Sequence, residues 1–250
     1  MTRFTRILPA ALALLTLFAL PVRAAVDIQT VTSPGGITAW LVQEENIPFT
    51  ALEIRFRGGT SLDAPDKSGA VNLMTALIEE GTGDLDAQGF AAARDSLAAS
   101  FGFASDSDTV GVSAQFLTEN RDQAIDLLRQ AITAPRFDAD AIERVRGQVL
   151  AGLRSDAKDP DAIAGDMFRK KAFGDHPYAR DGSGTLDSVA ALTRDDLLAA
   201  HRATLARDRV FVAAAGDISP EELGLLLDTL LGGLPETGAP QIGRAELALT

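Results

Sequence analysis

The chain has 250 residues, 46% of them hydrophobic and 23% charged, enough for one large domain or two small ones with a sizeable core. It has no cysteine, which excludes disulfides, thiolate metal sites and nucleophilic thiol chemistry. The formal net charge of −12 becomes −15 once the three arginines before Ala25 are set aside; so acidic a surface repels nucleic acid and anionic lipid and suits a basic or neutral peptide better.

Arg3 and Arg6 precede an apolar run from Ile7 to Val22, and Arg23-Ala24-Ala25 follows it. This is the pattern of a secretory signal peptide over 1–24, because the run is shorter than the roughly 20 residues of a spanning helix and small residues suited to cleavage come next. The expectation is an exported protein, periplasmic, with no membrane anchor after cleavage near Ala24 or Ala25.

Strands are predicted over Asp27 to Thr32, Ile37 to Val42 and Thr50 to Arg57, the last with Leu52, Ile54 and Phe56 alternating against Glu53, Arg55 and Arg57. In a helix from Lys67 to Glu80 the run Ala70, Val71, Leu73, Met74, Ala76, Leu77 and Ile78 leaves almost no polar face, so it is expected to be interior, stopped by Gly81-Thr82-Gly83. A second helix, Asp86 to Ser100, leads to a hairpin of Phe101 to Ser105 and Thr109 to Leu117 around Asp106-Ser107-Asp108. Helices follow over Arg121 to Thr133, Ala139 to Ser155, Pro160 to Ala172, Arg194 to Leu205 and Pro220 to Leu231. Asp159-Pro160, Thr193 with Asp196, and Ser219-Pro220 with Glu222 supply cap signals. Arg209 to Gly216, apolar on both faces, reads as a central strand. The whole is an α+β layout, helices packed on a mostly antiparallel sheet. A domain over 25–232 is expected, with 233–250 a glycine- and proline-rich linker or the start of a second domain.

Chemistry-bearing residues are sparse. The only histidines, His176 in a loop and His201 on a helix, stand 25 positions apart without a third, which is not a zinc-ligand spacing; His201 reads as a surface residue. No Gly-x-Ser-x-Gly elbow is present, and Asp181-Gly182-Ser183-Gly184-Thr185 lacks the preceding strand and lysine of a phosphate loop, so a turn leading into a helix is expected there.

The order of short motifs nevertheless resembles the insulinase, pitrilysin and mitochondrial processing peptidase family, specifically its N-terminal half. The matching pieces are Arg57-Gly58-Gly59-Thr60-Ser61-Leu62-Asp63, Lys67-Ser68-Gly69, Gly81-Thr82 and Gly174-Asp175-His176-Pro177-Tyr178, then Gly184-Thr185, Leu192-Thr193 and Ala215-Gly216-Asp217-Ile218. The resemblance implies a metallopeptidase-like α/β sandwich. It also implies a helix bearing His-x-x-Glu-His, two zinc ligands and a general base, where this chain has Asn72, Thr75 and Ala76. The family's third ligand, the second glutamate of Glu-x-x-x-x-x-x-Glu on a later helix, aligns Val145 and Gly152 with its two glutamates; a shift of two residues gives Glu143 and Leu150 instead. Neither alignment supplies a ligand, so no metal and no cofactor are expected. Asn72 and Thr75 also have an ordinary reading, as polar groups bonded to backbone or water.

Relatives pair two similar halves or subunits around an unfolded peptide, one of them sometimes lacking zinc. The resemblance therefore implies a non-catalytic partner of a zinc-bearing subunit; the strand Phe101 to Ser105 corresponds to the edge to which substrate adds in active relatives, and the other reading of it is an ordinary hairpin strand. The competing expectations are a metalloendopeptidase with an unrecognised site, drawing on His176 or His201, and a stand-alone peptide-binding scaffold.

Overall fold

The structure, a computed structural model, describes residues 27–247; the expected signal peptide and its cleavage point lie outside the described residues. Eight strands are described: β1 (Gln29–Thr32), β2 (Thr38–Gln43), β3 (Phe49–Arg57), β4 (Gly81–Thr82), β5 (Leu85–Asp86), β6 (Ser100–Ser105), β7 (Thr109–Leu117) and β8 (Val210–Gly216). The described helices are α1 (Ala70–Ala76), α2 (Ala87–Ser96), α3 (Arg121–Thr133), α4 (Ala139–Asp156), α5 (Pro160–Phe173), α6 (Leu186–Ala191), α7 (Arg194–Thr204) and α8 (Pro220–Leu231). The fold is α+β, as the pattern of elements implies.

Six strands form one sheet in the order β1-β2-β8-β3-β7-β6, antiparallel throughout except for the parallel pair β2 and β8. Its register lines up inward residues in rows: Leu41, Ala214, Leu52, Ala114 and Phe101 in one, Ala39, Val212, Ile54, Val112 and Phe103 in the next. Small residues alternate with large ones along the first row, and the second is mostly β-branched, a surface on which the helices above pack. Alternate residues of β3 and β8 are buried and their neighbours half-buried or exposed, so helices cover one face and leave the other open. β8 is central, as expected, but its apolar outer residues Phe211, Ala213 and Ala215 face solvent.

The first helix is shorter than its apolar pattern suggests. α1 has seven residues, preceded by a separate 3-10 turn over Pro65–Lys67. Its start is set by Gly69, whose φ of 92° is left-handed, and by Asp63, whose carboxylate accepts from the Gly69 and Val71 amides at 2.8 and 3.1 Å. Its end tightens into 3-10 bonding, Leu77 N to Met74 O and Ile78 N to Thr75 O, before the chain swings into the β4–β5 hairpin. Leu77 and Ile78 stay buried in those turns, which is why the apolar periodicity outruns the helix. Nor is α1 wholly interior: Ala76 is exposed and Asn72 half-buried.

The three expected caps form, with Asp159 accepting from Asp161 N and Ala162 N and both Thr193/Asp196 and Ser219/Glu222 closing capping boxes. Thr185 and Ser188 form another, opening α6. Within 233–247, the described part of the segment expected to be a linker or the start of a second domain, residues 235–241 bond to the body. Arg207 N and Asp208 N donate to the Pro235 and Glu236 carbonyls, Arg209 reaches Ala239 O at 2.6 Å, and Gln241 reaches Arg57 O at 3.2 Å. Glycine and proline composition signals a lack of regular structure, and the fixing here comes from backbone and side-chain groups far away in sequence.

Candidate functional site: the motif helix and its frame

The scattered motifs converge around α1. Gly58-Gly59-Thr60 lies against the β6–β7 turn, with Gly58 N donating to Asp108 O and Thr60 N to Asp106 O. A Cβ on Gly59 would stand 1.9 Å from the Asp106 carbonyl oxygen, so only glycine allows that approach. Gly69 and Gly184 explain each other: a Cβ on Gly184 would meet Ser68 O at 2.4 Å, and one on Gly69 would meet Ser183 O at 2.8 Å. Tyr178 donates its hydroxyl to the Asp108 carboxylate, and Arg180 Nη2 donates to Asp63 O at 2.7 Å. Three stretches far apart in sequence, 57–69, 106–109 and 174–185, thus form one frame that holds the start of α1.

The far end of α1 is tied to α4. Arg144 on α4 makes a two-pronged bond to Glu80, at 3.0 and 2.8 Å, and α1 and α4 are in contact. α1 also packs on α7 and β6. This places the helix between the edge strand β6, which among the described residues pairs with β7 alone, and the helix that carries Gly152.

The residues at the four aligned positions offer no place for zinc. Asn72 and Ala76 lie one turn apart on the open side of α1, an amide and a methyl group. Thr75 is buried and gives its hydroxyl to Val71 O at 2.8 Å, a backbone bond of the ordinary kind. Gly152 is exposed on α4 with nothing within 4 Å of where a Cβ would be. Under the shifted alignment Glu143 is exposed and paired with Arg146, and Leu150 is half-buried. A metal ion of this kind needs three or four imidazole, thiolate or carboxylate donors, and among the described residues no such group of three is assembled. The donor set does not fit a zinc ion.

The histidines are accounted for separately. His201 is buried, contrary to its reading as a surface residue: Leu197, Ala200 and Thr204 share its inward face, its Nε2 donates to Ile132 O at 2.8 Å, and Phe137 meets its ring edge-on. Burial holds its pKa below the usual histidine value, which keeps it neutral. His176 accepts at Nδ1 from Tyr178 N, leaving Nε2–H to reach Gly243 O at 3.1 Å. They share no partner, and neither faces Asn72 or Thr75 through a hydrogen bond.

Asp63 is the titratable group that the sequence did not single out. It is buried, and burial raises its pKa to about 6, more than the Val71 and Gly69 amides and the Arg180 charge pull it down. Glu79, beside the end of α1, is raised as well, again by burial, against the opposing pull of Arg94. Asp63 sits six residues before the amide it caps, outside the usual cap spacing, and so gives no sequence signal.

Residues 39–185 match the model of the insulinase family, peptidase family M16. The chain belongs to this family. A non-peptidase homolog from Helicobacter pylori, YmxG, is 29% identical over 198 residues, covering 78% of this chain and 46% of that protein. A probable mitochondrial-processing peptidase subunit beta from Schizosaccharomyces pombe is 32% identical over 119 residues, 48% of this chain and 26% of that one. The crystal structure of a peptidase M16 inactive domain from Pseudomonas fluorescens superposes with a TM-score of 0.83 at 27% identity, over 88% of this chain and 54% of that chain. Members described as inactive or non-peptidase therefore stand among its relatives. The chain spans about half the length of the full-length relatives it matches. No described helix is long and apolar enough to cross a membrane.

Proposed function

We propose that this chain is a non-catalytic subunit of an exported, periplasmic insulinase-type peptidase, pairing with a zinc-bearing relative and helping it to hold unfolded peptides. The observation that carries the reading is the contrast between frame and contents. The glycines and hydrogen bonds that position α1 are all present, while Asn72, Thr75, Ala76 and Gly152 stand where the ligands and base would be. Gly59, Gly69 and Gly184 each sit where a Cβ would run into backbone, and Gly69 and Gly184 also hold left-handed φ values, so the frame is intact around the altered positions.

The free edge of β6 gives such a subunit a means of contact with substrate, since a peptide strand can add there through backbone bonds without strict sequence preference. The acidic surface favours basic or neutral peptides. The partner's existence is supported by a relative named as one subunit of a processing peptidase. The domain over 25–232, with 233–250 leading toward a second unit, belongs to the same proposal and fits the half-length match.

Affinity purification from the native host tests the pairing: a stable partner carrying His-x-x-Glu-His is the expected result. A processed chain that alone binds one equivalent of zinc and cleaves an unfolded peptide, with activity lost to a chelator, would overturn it. The reading that draws a metal site from His176 or His201 loses its footing, because both ring systems are already engaged.

A further inference from the structure

α5 is attached to the body by the wrong side for a buried amphipathic helix. Of its 14 residues only Ala172 is buried. Arg169 turns inward to Asp181, at 2.7 Å, whereas Ile163, Met167 and Phe168 are 43%, 66% and 59% exposed. Pro160, Asp161, Ala164 and Lys171 are exposed beside them, and at 3.6 residues per turn these positions make one continuous outward face. A helix of this length takes most of its stability from packing an apolar face, and a soluble monomer seldom leaves such a patch bare.

We infer that this face pairs with the same face of a second copy of the chain, the two α5 helices running antiparallel about a two-fold axis. The charge pattern selects that occupant. Asp159 caps the helix and Lys170 is paired with Asp166 of its own helix at 2.7 Å, which leaves Asp161 at one end and Lys171 at the other, so a two-fold brings the acidic end of each copy against the basic end of the other. The positions agree in register: Asp161 and Lys171 are centred on the same point as Ala164 and Phe168. One arrangement therefore pairs Asp161 with Lys171 and seats each Phe168 ring over the small Ala164 opposite. Antiparallel helix dipoles add to it. The inference uses no residue of the motif helix and does not depend on a zinc-bearing partner.

Sedimentation velocity of the processed protein, from about 1 to about 200 µM, should show a reversible monomer–dimer equilibrium. Asp161→Lys alone, or Lys171→Asp alone, sets like charges together and should weaken dimerisation about tenfold, and the two combined should restore it. Phe168→Ser, on an exposed position and checked by circular dichroism to be folded, should leave a monomer. A wild-type chain that is monomeric throughout this range overturns the inference, as does a double charge swap that associates no better than the single ones. Burial of α5 by a different protein, with no self-association, counts equally against it.

Discussion

Asp63 is predicted to make this protein lose stability as pH rises, the reverse of the usual contribution of a carboxylate. Its pKa is about 6 in the folded chain against an ordinary value of 3.8, a difference equivalent to about 3 kcal/mol at most. Between those two values the unfolded chain has released the proton while the folded chain still holds it, so unfolding releases a proton and raising the pH favours it. The contribution is intact below pH 3.8 and gone once the pH has passed about 6. Asp63→Asn removes the titration. Its single acceptor oxygen serves one of the two amides now bonded to the carboxylate, a pH-independent loss of about 1–3 kcal/mol. The stability of the Asn variant relative to the wild type should therefore improve by up to about 3 kcal/mol between pH 4 and pH 7. Urea unfolding followed by circular dichroism at several pH values in that window measures it, and the comparison cancels the titration of every other group. A difference that is flat with pH, or that moves the other way, would show that the Gly69 and Val71 amides and Arg180 outweigh burial.

Further outcomes follow from the same frame. Gly59→Ala drives a methyl group into the Asp106 carbonyl and should cost more than about 3 kcal/mol or prevent folding, while Gly152→Ala, in open space within a helix, should gain about 0.5–1 kcal/mol; thermal melts of the two should shift in opposite directions. His201→Ala empties a buried position and orphans Ile132 O, so a loss of about 2–4 kcal/mol in urea unfolding is expected with no change in any activity of the paired complex. Replacing the four positions together, N72H, T75E, A76H and G152E, should give a chain that retains one equivalent of zinc in equilibrium dialysis, where the unaltered chain should retain none. The same variant should be less stable without metal, because Thr75 is buried and a glutamate there must be desolvated.

Residues that speak through backbone period or cap chemistry were legible in the sequence, and residues that speak through distant contact were not. The alternation in β3, the cap at Asp159 and the boxes at Thr193 and Ser219 depend on neighbours within a few positions, and each forms as expected. The motif glycines could be ordered along the chain, but not why they are glycines: Gly59 answers to Asp106, and Gly69 and Gly184 to each other across more than a hundred residues. His201 is a different case, because Leu197 and Thr204 sit one turn either side of it and mark the inward face, so its burial could have been read from the helical period alone. α5 shows where that argument stops. Ile163 and Met167 have the spacing of an ordinary core stripe, yet the side that meets the body is the one with Arg169 and Ala172. Hydrophobic period reports that a face must be covered without saying by which molecule. Here the covering has to come from outside the described residues, and for α5 the reversal of charge from Asp161 to Lys171 favours a second copy.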